Sequence, residues 1–248
     1  MRQLNTVEFP ETLMEFLKLA GLFSTIQFVR YLIFAGLVYL IFWSFKNKFT
    51  EKNRIQKIDF KKSDLIRELA YSFQTSLIFF FIFSAGFYHQ KDNLFNLALQ
   101  APILESILWL VFLILFHDTY FYWMHRALHH PKLFSWTHKV HHLSKNPSPF
   151  AAMSFQPLEA FLEIVWIVPL AYFLPIEMGT WAIFSLIIIL INVLGHLGVE
   201  IYPESWKQNR ILKYLNTSTN HNEHHQYFHG NYSLYFSAWD RWMGTFRK

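Results

Sequence analysis

The sequence predicts an all-α fold, a polytopic helical membrane protein with a histidine-rich cap on its cytosolic side. Hydrophobic residues make up 53% of the 248 residues and charged residues only 16%, which is more apolar than a soluble domain of this size. Apolar runs long enough to cross a bilayer recur along the chain. Basic residues concentrate beside these runs, as in cytoplasmic loops. Because no long polar linker interrupts the sequence, we expect residues 1–248 to form a single membrane-embedded domain.

Three apolar runs predict membrane-spanning helices, each near the length of about 20 residues that a bilayer requires. They are Leu22 to Phe45, Leu69 to Tyr88 and Ile103 to Met124. Two shorter stretches, Phe161 to Leu174 and Trp181 to Leu194, predict a helical hairpin that turns near Pro175 and Gly179. The pattern leaves open whether this hairpin crosses the membrane completely.

A strongly basic loop lies between the first two predicted spans. Such an excess of lysine and arginine is typical of the cytoplasmic side. Alternation from there places the loop Gln90 to Ala101 outside and returns the chain to the inside after Met124. The basic residues that would face the cytoplasm are Lys46, Lys48, Lys52, Arg54, Lys57, Lys61, Lys62, Arg67, Lys132, Lys139, Lys145, Lys207, Arg210, Lys213, Arg241 and Arg247. The alternative is a solvated charge run without topological meaning.

Composition also excludes several classes of site. The chain has no cysteine, so disulfides, zinc–thiolate sites, iron–sulfur clusters and thiol nucleophiles are excluded. The net charge of +5 is not arranged as a basic stripe interleaved with aromatic residues, so we expect no nucleic-acid partner. The first residues are too acidic and too polar for a secretory signal peptide, and we expect no cleaved targeting segment.

Histidines provide the main chemical signal. Nine of the thirteen lie in the segments HRALHHPKLFSWTHKVHH and HNEHH. His125 and His129 are four residues apart, which places both side chains on one face of a helix. Each of the two HxxHH elements is predicted to present its imidazoles on one helical face in the same way.

So many imidazoles exceed the ligands that one ion can bind, and the pattern therefore indicates two metals. His196 could add a ligand from a separate helix. His89 is expected to be an ordinary core residue, whereas His117, His130 and His229 could be ligands or not. Zinc is the alternative metal, since histidine binds it readily, but a catalytic zinc needs only three protein ligands.

The motifs resemble the fatty acid hydroxylase and sterol desaturase superfamily of membrane diiron enzymes. The likeness covers about 116–248 and rests on HDTYFYWMHRALHH, THKVHHLSKNPSPFAAMSFQPLEA, GHLGVEIYP and NTSTNHNEHHQYFHGNYSLYFSAWDRWMGT. It is most similar to the sterol C5-desaturase branch and its bacterial relatives. The chain departs from the pattern at Gln156, Asn220 and Phe121, where relatives often carry histidine.

The resemblance implies two iron ions and a catalytic cap on the cytosolic side. It implies that O2 and an external electron donor, cytochrome b5-like or ferredoxin-like, serve to hydroxylate or desaturate a lipid taken from the bilayer. The implied iron ligands are His125, His129, His138, His141, His142, His196, His221, His224 and His225.

Two further features of the motifs carry expectations. Asp118 could orient the metal-binding residues without binding the metal itself, or it could be a polar residue at the membrane boundary. The closing WDRxxGT, from Trp239 to Thr245, is expected to lock the carboxy-terminal segment onto the cap. The rival functions are a membrane zinc hydrolase and a non-enzymatic metal-binding membrane protein, and the latter predicts polar residues in the middle of several spans.

Overall fold

The computed structural model describes residues 12–44, 48–87 and 101–247, which form helices joined by turns and loops, with no β-strand among them. The α-helices are α1 (Leu13–Tyr39), α2 (Lys48–Asn53), α3 (Lys62–Phe87), α4 (Ile103–Leu128), α5 (Pro131–Thr137), α6 (Pro157–Val165), α7 (Ile167–Phe173), α8 (Met178–Gly195), α9 (Ser218–Tyr227) and α10 (Ala238–Trp242). The predicted all-α class is therefore confirmed. The single-domain boundary stays a prediction.

Four helices are long and apolar enough to cross a membrane, and they support a membrane protein. These candidate spans are Leu13–Ser44, Lys62–Ser84, Ile103–Leu128 and Met178–Gly195. Their outer faces expose large apolar side chains, among them Ile33 and Leu108, as expected for helices in contact with lipid. Several predicted features lie outside the described residues. They are Phe45 and Tyr88, at which two predicted spans end, His89, and the predicted outer loop before Ala101.

The first span begins earlier than the sequence pattern predicted. Thr12 and Glu15 form a capping box, in which each side chain accepts a hydrogen bond from the other residue's backbone N–H. This cap starts the helix at Leu13 rather than at Leu22, because it satisfies backbone donors that the first turn leaves free. Beyond Tyr39 the same helix continues as a π-helical segment, Leu40–Ser44.

The predicted hairpin is present, but its two limbs differ. Its second limb, α8, is a continuous candidate span. Its first limb is divided at Trp166 into α6 and α7, and neither piece is long enough to count as a span by itself. Two apolar clusters hold the limbs: Trp166, Trp181 and Phe184 pack with α4, and α8 packs against α1 around Tyr31.

One end of the bundle gathers the polar contacts between distant segments. Trp43 Nε1, at the end of the first span, donates to Leu197 O after α8 (2.9 Å). Glu68, near the start of α3, accepts hydrogen bonds from Ser144 and Ser148. Gln56, in the basic loop, donates to Lys145 O (2.8 Å). The basic loop, the start of α3 and the histidine-rich segments therefore lie at the same end of the helices.

Candidate metal centre

The last turn of α4 contributes the first two histidines. His125 lies in that turn, and His129 is the residue that ends the helix, with φ −77°. Their ring centroids are 5.2 Å apart. The prediction that this i,i+4 pair shares one helical face is confirmed.

The first HxxHH element does not have the predicted helical form. Helix α5 ends at Thr137, His138 follows in a turn, and His141–Leu143 is a short 3-10 helix. The three side chains consequently point to two places: His138 and His142 join one group of histidines, whereas His141 joins another. The prediction of one shared helical face is wrong here, because Lys139 and Val140 lie in a turn rather than in an α-helix.

The second HxxHH element lies on α9, as predicted. Thr217 caps this helix by accepting a hydrogen bond from Asn220 N (3.2 Å), and the helix ends at Phe228 in the left-handed conformation. His221 and His225 join one group, and His224 joins the other. A single turn of helix therefore serves both groups.

The structure brings all nine predicted ligands together in two clusters. The five-histidine cluster is formed by His125, His129, His138, His142 and His224, and the four-histidine cluster is formed by His141, His196, His221 and His225. Within each cluster one ring nitrogen of every residue lies within 4.8 Å of the corresponding nitrogens of the others. The predicted role of His196, which follows α8, agrees with this geometry.

The two clusters are neighbours. The rings of His142 and His225, which belong to different clusters, have centroids 4.7 Å apart. Eight of the nine side chains are buried, and His129 is partly buried. This arrangement is that of two adjacent sites sharing one dry, nitrogen-rich interior.

Backbone carbonyls orient four of the rings. His125 Nδ1 lies 2.7 Å from Tyr232 O, and His196 Nδ1 lies 2.7 Å from Asn192 O. His224 Nδ1 lies 2.8 Å from Gly230 O, and His225 Nδ1 lies 3.0 Å from Ser144 O. A carbonyl can only accept a hydrogen bond, so in these rings Nδ1 carries the proton and a neutral imidazole then has a lone pair on Nε2. The fold therefore aims lone pairs into the clusters.

These lone pairs face one another. The Nε2 atoms of His196 and His225, both without a proton by this reasoning, are 3.2 Å apart. Two lone pairs cannot form a hydrogen bond, and a buried polar atom without a partner costs free energy. A cation between the nitrogens removes the conflict. The residues present thus fit metal ions in both clusters.

Burial keeps the imidazoles neutral. It lowers the pKa of His196 to about 4. Burial, followed by the neighbouring imidazoles, holds the pKa values of His142 and His224 well below the ordinary value. Metal ions bind the neutral form of histidine, so the site is prepared for them at physiological pH.

One carboxylate touches a cluster histidine, and the sequence reasoning did not assign it. Glu159, in the first turn of α6, has Oε1 2.5 Å from His138 Nδ1, and both side chains are buried. Carboxylates in this position fix the orientation and raise the basicity of a metal-binding histidine. An acidic residue in the apolar stretch that follows the first HxxHH element was the available signal.

Asp118 does not contact the predicted metal ligands, and its position relative to the membrane boundary stays a prediction. Its carboxylate accepts hydrogen bonds from Tyr235 N (2.9 Å) and Phe236 N (3.2 Å) and contacts no cluster histidine. The closing motif behaves as predicted: Asp240 accepts from Tyr232 N and Ser233 N, both at 2.9 Å. Both aspartates therefore hold the carboxy-terminal segment, whose carbonyl at Tyr232 orients His125.

Three of the remaining histidines lie outside both clusters. His117 is buried, stacks on Trp166 and lies 2.9 Å by Nδ1 from the hydroxyl of Tyr235. His130 is exposed and caps α5 by accepting from Lys132 N (3.3 Å). His229 is also exposed.

The three departures from the family pattern make contacts of their own near the clusters. Gln156 accepts from Val140 N (3.1 Å) and donates to Ser135 O (3.3 Å). Asn220 lies in the first turn of α9, where its N–H donates to the side chain of the cap residue Thr217. Phe121 packs its ring against His125, with centroids 5.1 Å apart. Each residue thus supports the segments that carry the histidines.

An apolar cavity lies next to the four-histidine cluster. It has a volume of about 310 Å³ and lies among α1, α3, α4, α6, α7 and α8, with mostly aliphatic and aromatic walls. Phe155 lines it and packs on His141, with ring centroids 5.3 Å apart. Asn192, another wall residue, is the residue whose carbonyl orients His196.

Comparison with known proteins agrees with this geometry. The family described as "Fatty acid hydroxylase" matches residues 110–245, which include all nine cluster histidines. Human lathosterol oxidase is 30% identical over 146 residues, 58% of this chain and 47% of that protein.

Fungal relatives match over a longer part of the chain. The Delta(7)-sterol 5(6)-desaturase erg3A of Aspergillus fumigatus is 27% identical over 224 residues, 89% of this chain and 59% of that protein. The Delta(7)-sterol 5(6)-desaturase of Leptosphaeria maculans is 28% identical over 222 residues, 88% of this chain and 58% of that protein. The chain spans about half the length of the curated relatives it matches. No solved structure matches.

Proposed function

Because the chain belongs to the fatty acid hydroxylase family, we propose that it is a membrane oxidoreductase with one iron in each histidine cluster. It uses O2 and external electrons to hydroxylate or desaturate a lipid. The observation that carries this proposal is the pair of adjacent clusters of five and four imidazoles, eight of which are buried. All nine histidines are the proposed iron ligands.

The donor set favours two irons over one zinc. A catalytic zinc takes three protein ligands and a structural one takes four, whereas nine imidazoles converge here. A hydrolytic zinc site also tends to have a carboxylate base near its water. The carboxylate found here, Glu159, instead faces the Nδ1 atom of His138.

The irons, when bound, would supply the oxidising chemistry that an unactivated C–H bond requires. The residues of the chain hold and shield the site. Glu159 and the backbone carbonyls orient the rings, and burial excludes water that would react with oxidising species. Phe155 and Asn192 connect the cavity to the four-histidine cluster.

The apolar cavity is the proposed lipid site. Its position between helices suits a substrate that enters from the bilayer. The names of the matched relatives, lathosterol oxidase and Delta(7)-sterol 5(6)-desaturase, favour a sterol-like lipid, and the family's name favours a fatty acyl chain.

The histidine end of the helices is proposed to face the cytoplasm. The basic loop lies at that end, and an excess of lysine and arginine marks the cytoplasmic side. An external cytochrome b5-like or ferredoxin-like protein would deliver electrons there. Exposed lysines at this end, such as Lys139 and Lys145, suit a partner of opposite charge.

Lipid profiling tests the function. Mass spectrometry compares extracts of cells that produce the intact chain with extracts of cells that produce His142→Ala, a change in the five-histidine cluster. The intact chain is expected to yield a lipid that gains one oxygen atom or loses two hydrogen atoms, and the variant should not. His130→Ala, outside both clusters, is the matched control and should retain the product. A lipid profile that is the same with all three chains contradicts the proposal.

A further inference from the structure

The apolar cavity has a charged residue in its wall. Arg30 lies on α1, inside the first candidate membrane span, and lines the cavity together with Gln27 and Ser185. A charge within a membrane span is costly, and such residues commonly mark the path of a polar substrate group. A cavity that held only hydrocarbon would need no arginine.

Neutral groups satisfy only part of the guanidinium. Arg30 Nη1 donates to Ser185 Oγ at 2.8 Å, and Nη2 donates to Gln27 Oε1. Its Nε is buried and makes no hydrogen bond. The hydroxyl of Ser185 already donates to Ala182 O (2.8 Å), so towards Arg30 it acts only as an acceptor, and Nε is left as a donor without an acceptor.

The charge of Arg30 also lacks a counter-charge. None of the ion pairs among residues 12–44, 48–87 and 101–247 includes Arg30. Glu163 lines the same cavity but forms no ion pair with it. Arg30 is partly buried, and a charge shielded from water is stabilised by an added acceptor, which gives a ligand oxygen a place to bind.

This polar group is far from the metal centre. Ser185 precedes His196 by eleven residues on α8, which at 1.5 Å per residue separates them by about 16 Å. The cavity approaches the four-histidine cluster at Phe155, which lines it and packs on His141. The cavity therefore has a cationic group beside Ser185 and passes close to a proposed iron site, with mostly apolar walls.

We propose that Arg30, with Gln27 and Ser185, binds an oxygen-bearing end group of the lipid, a carboxylate or a hydroxyl. The bound oxygen then directs the other end of the lipid towards the four-histidine cluster, about three turns of α8 away. This inference rests on the proposed function for its reaction, but the binding step needs neither metal nor turnover.

A purely structural role makes a different prediction. If Arg30 only tied α1 to α8 through Ser185, its loss would lower stability without changing which lipids bind. A binding role predicts selectivity for the end group. The two roles separate when probes share one hydrocarbon chain and differ only at its end.

The test measures the affinity of the purified full chain in detergent for hexadecanoate, hexadecanol and hexadecane, by the rise in unfolding temperature with probe concentration. Wild type is expected to bind the acid, the alcohol or both at least about 10-fold more tightly than the alkane, as for a charged hydrogen bond. Arg30→Gln should abolish that preference and leave alkane binding unchanged. Arg30→Lys, which keeps the cation, should retain part of it.

Two controls complete the experiment. Arg210→Gln, at an exposed position outside the spans, should retain the preference. Ile188→Ala, in the cavity wall, should lower the affinity for all three probes by the same factor. If the affinity relative to the alkane is higher for the acid than for the alcohol, the end group is assigned as a carboxylate. If it is equal or higher for the alcohol, the end group is assigned as a hydroxyl. Equal affinity of wild type for all three probes, or a preference that survives in Arg30→Gln, overturns the proposal even where iron and product are found.

Discussion

At the scale of single residues, the candidate metal centre depends on the backbone atoms that contact the outer nitrogens of the imidazole rings. Gly230 illustrates this: its φ is +81°, and a Cβ there would collide with the carbonyl oxygen of Thr245. Only glycine tolerates both conditions. The resulting turn places Gly230 O against His224 Nδ1 at 2.8 Å. The backbone conformation thus sets which nitrogen of His224 can bind a metal.

Glu159→Ala is expected to weaken metal binding at the five-histidine cluster by about 10- to 100-fold, because His138 loses the group that orients it. Glu159→Gln keeps an oxygen near His138 Nδ1 and should retain more affinity. The measurement is competition for iron between the purified chain and a chelator of known affinity.

The matched control for this change is Glu163→Ala. Glu163 lies one turn further along α6 and faces the cavity rather than a cluster histidine, so its loss should leave iron affinity unchanged. If Glu159→Ala binds iron as tightly as the control, the orienting role of Glu159 is refuted.

The metal-binding histidines could be predicted from the sequence, but the way they divide between two clusters could not. Nine imidazoles at short spacings are recognisable in the chain itself. The assignment of His141 to one cluster and of His142 to the other depends on a turn formed by packing against α6 and α9. Glu159 was not predicted for a related reason. Its partner His138 is twenty-one residues away, so no short sequence motif contains both residues.

At the scale of elements, α3 supports the four-histidine cluster through a buried carboxylate. Glu68 accepts from Ser144 Oγ (2.7 Å) and Ser148 Oγ (2.6 Å), and Arg67 donates to Ser144 Oγ (2.8 Å). The carbonyl of Ser144 in turn orients His225. The start of α3 therefore fixes the loop that follows the first HxxHH element.

Glu68→Ala should lower the free energy of unfolding by about 1–3 kcal/mol, since it leaves two buried hydroxyls without their acceptor. Chemical unfolding in detergent measures the change. Glu105→Ala, at an exposed position in the first turn of α4, is the control and should alter stability by less than about 0.5 kcal/mol. Equal effects of the two changes would show that the Glu68 contacts do not stabilise the fold.

Helices were easier to predict than their limits. Hydropathy identified α1, α3 and α4 because a bilayer requires long apolar segments. It missed the start of α1, where a polar capping box rather than hydropathy determines the first residue. It also could not show that Trp166 divides the first limb of the hairpin, since apolar residues continue through the break.

At the scale of the whole molecule, the helices hold the histidine clusters at one end of a candidate membrane bundle. Both limbs of the hairpin meet the centre at that end, through Glu159 on α6 and His196 after α8. The cavity opens between the same helices. The fold thus places an apolar cavity next to the candidate metal centre, at one end of the helices.

The absence of cysteine allows a direct test of orientation. Lys139→Cys, at the histidine end, should react with a membrane-impermeant maleimide only in inverted vesicles. Glu105→Cys, near the opposite end of α4, should react only in intact cells. Labelling of Lys139→Cys from outside intact cells would contradict the proposed cytoplasmic side.

Acid is expected to destabilise the metal-free protein. Burial lowers the pKa of His196 and of the other cluster histidines outside the spans, whereas in the unfolded chain histidine has a pKa near 6.5. Below that pH the unfolded state binds more protons than the folded state, so stability falls as pH falls.

The unfolding temperature of the metal-free chain should therefore decrease from about pH 7.5 to about pH 5. Burial raises the pKa values of Glu159 and Glu163 and acts in the opposite direction, but the histidines with lowered pKa values outnumber these two carboxyl groups. His221→Gln, which removes one buried histidine, should reduce the slope, and His130→Gln, at an exposed position, should not. An unfolding temperature that rises or stays constant over this range would contradict the pKa argument.

The central claim is that the two clusters bind two irons, and metal analysis of the purified chain tests it most directly. Protein produced with iron and purified without oxygen is expected to contain about two irons per chain, one for each cluster. His142→Ala, in the five-histidine cluster, should lower the content towards one, and His130→Ala should leave it at two. One zinc per chain, or an iron content that His142→Ala does not change, would contradict the account.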